Sequence, residues 1–96
     1  MIAFADIQSK LNDYKSYLLQ KYHINYLAVF GSVSRNENTE NSDIDILVDF
    51  TQPIGIGFID LADELEHILN QKVDLVSRNA IKPKYFEHIK NDLKYV

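Results

Sequence analysis

The chain has 96 residues, 46% of them hydrophobic and 25% charged, with a formal net charge of −4 and no cysteine. Such a length and mix suit one globular domain spanning residues 1–96, exclude disulfides, zinc–thiolate centres and thiol nucleophiles, and disfavour direct nucleic-acid binding through a phosphate backbone. No apolar run approaches the roughly 18 residues of a membrane span, and Met1–Asp6 lacks the basic region of a signal peptide, so the expected location is cytoplasmic, with no membrane partner.

In chain order, Ile7, Leu11, Tyr14 and Leu18 recur at spacings of four, three and four. They form one stripe of a 3.6-residue period, which predicts a single first helix docked through that stripe. Tyr26–Phe30 is a short continuous apolar run ending at Gly31. Its length and its aromatic and β-branched content predict a central strand covered on both faces. Residues 33–42 are polar and rich in Asn and Ser, which predicts a short helical turn at most and then a loop. From Asp43 to Phe50 the pattern alternates: Ile44, Ile46, Val48 and Phe50 point one way, Asp43, Asp45, Leu47 and Asp49 the other. That is a strand with one apolar face. After a turn through Pro53 and Gly55-Ile56-Gly57, a second helix carries Phe58, Leu61, Ala62, Leu65, Ile68 and Leu69 along its buried stripe. Asp60, Asp63 and Glu64 lie near its N-terminus, where the helix dipole favours negative charge. Val73–Val76 is a third short strand, and Pro83 opens a last helix with Tyr85, Phe86, Ile89 and Leu93 at helical spacing. The order α-β-β-α-β-α, with no internal repeat, predicts an α+β domain, a small mixed β-sheet flanked by helices.

The chemistry lies in Asp43-x-Asp45. Aspartate is depleted in strands, so two in one strand need a reason. Side-chain alternation projects both from one face, with Cα atoms about 6.6 Å apart. Their carboxylates can lean over one metal position or bridge two ions about 3.5–4 Å apart; the competing reading is a solvated face whose acids prevent edge pairing. Gly31-Ser32 ends the preceding apolar strand, where open α/β sheets place ligands. Glycine lets backbone N–H groups approach an anion closely, and serine adds a hydroxyl, although a Gly-Ser turn by itself is common. Asp74 is an acid in an otherwise apolar strand. Buried and unpaired it would cost several kcal/mol, which a divalent cation would offset; at a sheet edge it would simply face water. Three carboxylates make an oxygen-rich site suited to Mg²⁺, and Asp74 can also serve as general base for an incoming hydroxyl. With each residue type at a few per cent, Gly31-Ser32, ten residues, then Asp43-x-Asp45 arises by chance about once in 10⁵ starting points.

This pattern resembles the nucleotidyltransferase superfamily of DNA polymerase β, and more narrowly the minimal nucleotidyltransferases. The likeness covers nearly the whole chain and is strongest over Leu27–Phe50 and Val73–Val76. The resemblance implies the polymerase β-like fold, ATP as donor, two Mg²⁺ ions held by the catalytic Asp43, Asp45 and Asp74, and transfer of AMP to a hydroxyl with release of pyrophosphate. It implies that Gly31 and Ser32 hold the nucleotide and that Arg35 matches the basic residue following them. Where the family often has a glycine after that arginine, this chain has Asn36, a residue that tolerates left-handed geometry. Members of the group pair with HEPN-domain ribonuclease toxins, which implies an antitoxin that AMPylates a tyrosine of its toxin. Two alternatives are a non-catalytic antitoxin acting by contact and a transferase for small molecules such as aminoglycosides.

Other motifs carry less. Gly55-x-Gly57 lacks a third glycine and reads as a turn, no Gly-Lys-Ser/Thr is present, and Leu47 stands where a calcium loop needs an oxygen ligand. His23, His67 and His88 show no ligand spacing. Lys82, Lys84, Lys90 and Lys94 read as a solvated helix face with some capacity to touch a partner.

Overall fold

A computed structural model describes residues 2–96; Met1, the first residue of the stretch read against a signal peptide, lies outside them. Helices α1 (Phe4–Asn12) and α2 (Lys15–Lys21) lead into strands β1 (Ile24–Phe30) and β2 (Ile44–Phe50). Helix α3 (Gly57–Leu69), strand β3 (Val73–Ser77) and helix α4 (Pro83–Ile89) follow. A 3-10 turn (Lys90–Asp92) and a two-residue strand β4 (Lys94–Tyr95) complete the order. The sheet runs β3-β2-β1-β4, with β2 parallel to β3 and antiparallel to β1, and β4 antiparallel to β1. The expected small mixed sheet flanked by helices is therefore present.

Each face of the sheet has its own core. Ile7, Leu11 and Leu18 of the first two helices and Leu61, Leu65 and Leu69 of α3 pack on Leu27, Val29, Ile44, Ile46 and Val48. On the opposite face Phe30 and Leu47 meet Ile81 and Ile89, with Val76, Phe86 and Leu93 alongside. Strand β1 is thus covered on both sides, as its continuous apolar run predicts. Each fully buried side chain among them is worth about 1.5–3 kcal/mol.

The structure differs from the sequence expectation at three places. The first helix is two: the Tyr14 N–H bonds Leu11 O at 3.1 Å, three residues back instead of four. Ile7, Leu11 and Leu18 stay buried, but Tyr14 turns out and is 47% exposed. Strand β2 has an apolar centre on its second face as well, because α4 covers Leu47. The last helix stops at Ile89, and Leu93 packs from a turn, so that Lys94 can pair with Val29 as a fourth strand. A two-residue strand has too few residues to show a period of its own.

Local signals end the elements where expected. Pro83 occupies the first turn of α4, where its missing N–H is not needed. Asn70 caps α3 in the left-handed region at φ 53°.

Candidate functional site

The site forms where β1 ends and β2 and β3 begin. Phe30 is the Cα partner of Asp45 across the antiparallel pair, and Asp45 is the partner of Asp74 across the parallel pair. Neighbouring strands lie about 4.8 Å apart and paired side chains share a face. Asp45 and Asp74 therefore stand side by side on the face that carries α4, beyond the apolar ground of Phe30 and Leu47. Asp43 lies one residue ahead of β2, two before Asp45. The Ile44 N–H that follows it bonds Lys72 O at 2.9 Å and so fixes the start of the strand.

Burial of the acids departs from expectation. Asp74 is exposed, because β3 is an edge strand, and Asp43 is exposed too. The half-buried carboxylate is Asp45, on an interior strand. The desolvation cost read for Asp74 thus falls on Asp45 instead. Burial, the charges of Asp74 and Asp43, and a proton shared with Asp74 push Asp45 up to about 6, while the Arg35 charge pulls it down.

Gly31 leaves β1 with φ 75°, a left-handed geometry that a side chain resists. A Cβ at this position would collide with Asp45 Oδ2 and lie 3.1 Å from its Cγ. The turn after β1 therefore closes over the carboxylate only because residue 31 has no side chain. Its backbone is tied internally: Arg35 N–H bonds Gly31 O at 3.2 Å, Asn36 N–H bonds Val33 O at 3.1 Å and Glu37 N–H bonds Ser32 O at 2.8 Å. Buried Ser34 also donates to Gly31 O at 3.1 Å. Asn36 adopts φ 60°, a left-handed geometry that asparagine tolerates. Arg35 is exposed and donates to Glu37 and Asp92, each at 2.7 Å.

The donor set fits a hard cation bound in the open manner of Mg²⁺. The three acidic side chains offer carboxylate oxygens, and the negative charge packed around Asp45 is what an added cation would relieve. Among the described residues no three acidic or histidine side chains form a ready-made metal cage. Mg²⁺ commonly takes only one or two carboxylates and completes its shell with water and substrate phosphates.

Residues 12–96 match the family described as polymerase beta, nucleotidyltransferase. The chain belongs to that family. A candidate protein adenylyltransferase of Methanocaldococcus jannaschii is 45% identical over 98 residues, with both chains covered in full. Protein adenylyltransferase MntA of Thermococcus cleftensis is 36% identical over 97 residues, covering 100% of this chain and 98% of its own. Among solved structures, a candidate minimal nucleotidyltransferase superposes with a TM-score of 0.84 at 27% identity, covering 99% of this chain and 97% of that one. A chain of a toxin–antitoxin complex with AMP-PNP gives 0.71 at 27% identity over 86% of this chain and 69% of that one. One from a complex of a tri-AMPylated Shewanella oneidensis HEPN toxin with MNT antitoxin gives 0.67 at 25% identity, over 93% and 70%.

The remaining candidates of the nucleotidyltransferase chain lie on several elements. Lys90 pairs with Glu87 at 2.6 Å, and Lys94 lies over the Phe4 ring, 5.3 Å from its centroid, so these two of the four C-terminal lysines are engaged within the chain. His23, His67 and His88 sit on separate elements or turns. Two further residues beside the site carry no sequence signal: Ser34, which bonds Gly31 O, and Asp92, which bonds Arg35. Ser34 is one hydroxyl in a polar segment, and Asp92 is brought in by a tertiary contact that has no local pattern. Among the described residues no helix is long and apolar enough to cross a membrane.

Proposed function

We propose that this chain is a protein adenylyltransferase and the antitoxin of a HEPN ribonuclease, acting in the cytoplasm as one domain over residues 1–96. It transfers AMP from ATP to a hydroxyl of that toxin, a tyrosine, and releases pyrophosphate. The observation that carries the reading is the register pairing of Asp45 with Asp74, flanked by Asp43, beneath a turn whose glycine lets the backbone approach the Asp45 carboxylate. The relatives named as protein adenylyltransferases and the fold shared with an antitoxin bound to an AMPylated HEPN toxin support it.

Asp43, Asp45 and Asp74 would hold two Mg²⁺ ions, which would supply charge neutralisation and Lewis acidity at the triphosphate. Gly31 and Ser32 present backbone N–H groups and a hydroxyl to a phosphate oxygen, and Arg35 adds a planar donor. The toxin hydroxyl attacks the α-phosphorus, the bond to the bridging oxygen breaks, and the hydroxyl proton passes to Asp74, which is open to solvent at the sheet edge. Positioning and charge stabilisation supply the rate; no covalent enzyme intermediate is needed.

The test is incubation of the chain with ATP, Mg²⁺ and the HEPN protein encoded beside it, read by mass spectrometry. The expected product is toxin heavier by whole AMP units on tyrosine, with its ribonuclease activity lost. Equal neutralisation with and without ATP would instead establish an antitoxin that works by contact.

A further inference from the structure

Arg35 is held from two directions at the rim of the acidic cluster. Its Nε–H donates to Glu37 Oε1 and an Nη1 hydrogen to Asp92 Oδ2, both at 2.7 Å. The two anchors differ in what fixes them. Glu37 lies two residues along the same surface turn, with its side chain 60% exposed. Asp92 comes from the other end of the chain, and its side chain is only 24% exposed. Buried Ile89 precedes its 3-10 turn, while Leu93 after it packs with Phe30 and Leu47, and Lys94 pairs with Val29. Asp92 is therefore a fixed carboxylate offered to a side chain that otherwise has wide rotamer freedom. The two bonds occupy one hydrogen on Nε and one on Nη1. Of the five N–H donors of a guanidinium, those on Nη2 and the second on Nη1 are engaged by neither carboxylate.

We propose that Asp92 is a positioning residue for the nucleotide: it holds Arg35 at the mouth of the Gly31–Asn36 turn so that the uncommitted N–H groups meet triphosphate oxygens. The proposal rests on the nucleotide-binding reading above. The sign of one substitution separates positioning from simple charge. Acting only through its charge, Asp92 would repel a triphosphate, and its neutralisation would tighten binding. Acting through Arg35, its loss weakens binding.

The experiment titrates ATP with Mg²⁺ into the wild type, Asp92→Asn, Asp92→Glu, Arg35→Gln and the Asp92→Asn/Arg35→Gln double variant, with no toxin present. Asp92→Asn is expected to weaken binding by about two- to fivefold, the size of a partly exposed ion pair. The same factor is expected in the KM for ATP in the transfer assay, with kcat unchanged. Asp92→Glu recovers part of the loss, and in the Arg35→Gln background Asp92→Asn has no further effect. Unchanged or tighter binding in Asp92→Asn, or an equal loss with and without Arg35, overturns the proposal. A wild type that binds ATP but transfers no AMP overturns the proposed function and leaves the Asp92–Arg35 coupling readable. A wild type that does not bind ATP overturns both.

Discussion

Asp45 and Asp74 are register partners on the parallel strands β2 and β3, so two carboxylates share one face of the sheet at adjacent positions. Like charges directly opposite one another destabilise a sheet. The burden is uneven because β2 is interior and β3 is an edge, and it is Asp45 that is driven up to about 6. The fold holds a charge arrangement that is unfavourable alone and becomes favourable when positive charge arrives. Such strain belongs at a binding site.

Asp45→Asn separates function from stability. The amide keeps the shape of the carboxyl group and removes its charge, so the metal-free protein is expected to gain roughly 1 kcal/mol after solvent screening is allowed for. For a domain of this size that raises the melting temperature by about 4–8 °C. AMP transfer should fall by more than about 100-fold, since an amide oxygen is a poor substitute for a carboxylate beside divalent cations. Thermal melts in EDTA paired with the transfer assay check both halves. A variant less stable than wild type and fully active would reverse the assignment of Asp45.

Acidity should erase that stability difference. In the folded chain Asp45 takes up a proton near pH 6, and in the unfolded chain only near its ordinary value of 3.8. A folded-state value raised above the unfolded one means that the native protein binds more protons between those limits, so stability rises as pH falls through them. The cost of the Asp45 charge is therefore full well above pH 6, fades on acidification and is gone below 3.8. The gap in melting temperature between Asp45→Asn and wild type, measured in EDTA, should shrink steadily from about pH 7.5 to pH 5. A constant gap would mean that Asp45 is not the titrating group.

Much of this is legible in the sequence, and the reasons are local. Alternation over Asp43–Phe50 placed both aspartates on one face, and the apolar run ending at Gly31 placed the turn beside them. The sequence also showed that Asp74 sits in a strand, but the sheet order that exposes it and buries Asp45 depends on which strands neighbour which. The alternation puts Leu47 on a polar face because the cover over it, α4 with Ile81 and Ile89, arrives more than thirty residues later. The break at Tyr14 preserves the Ile7–Leu11–Leu18 stripe, so the apolar pattern is unchanged by it. Asp92 was invisible for the same reason: its partner Arg35 is 57 positions away.

Gly31→Ala tests the turn. Alanine would have to keep φ near 75°, and its methyl would meet the Asp45 carboxylate, which must then move. A left-handed alanine costs about 1–2 kcal/mol, and shifting a catalytic group by about 1 Å can cost around 100-fold in rate. The expected result is a folded protein with a lower melting temperature and AMP transfer reduced by about that factor. Wild-type transfer in a folded Gly31→Ala variant would show that the close approach of backbone to Asp45 is dispensable.

Asn36 tests whether the loop needs its geometry more than its side chain. Residue 36 lies between Arg35 and Glu37, which are hydrogen-bonded to each other, and its φ of 60° sets their relative direction. Glycine adopts this conformation without steric penalty, so Asn36→Gly should keep wild-type transfer and change stability by less than about 1 kcal/mol. Valine resists it: a β-branched residue there costs roughly 1–2 kcal/mol or forces the loop out of the left-handed region. Asn36→Val should therefore lower the melting temperature and raise the KM for ATP more than it lowers kcat, because the displaced group is Arg35 and the aspartates stay in place. Steady-state kinetics and thermal melts of the two variants side by side decide the matter. Equal behaviour of Gly and Val at position 36 would detach the Arg35 orientation from the backbone of the turn.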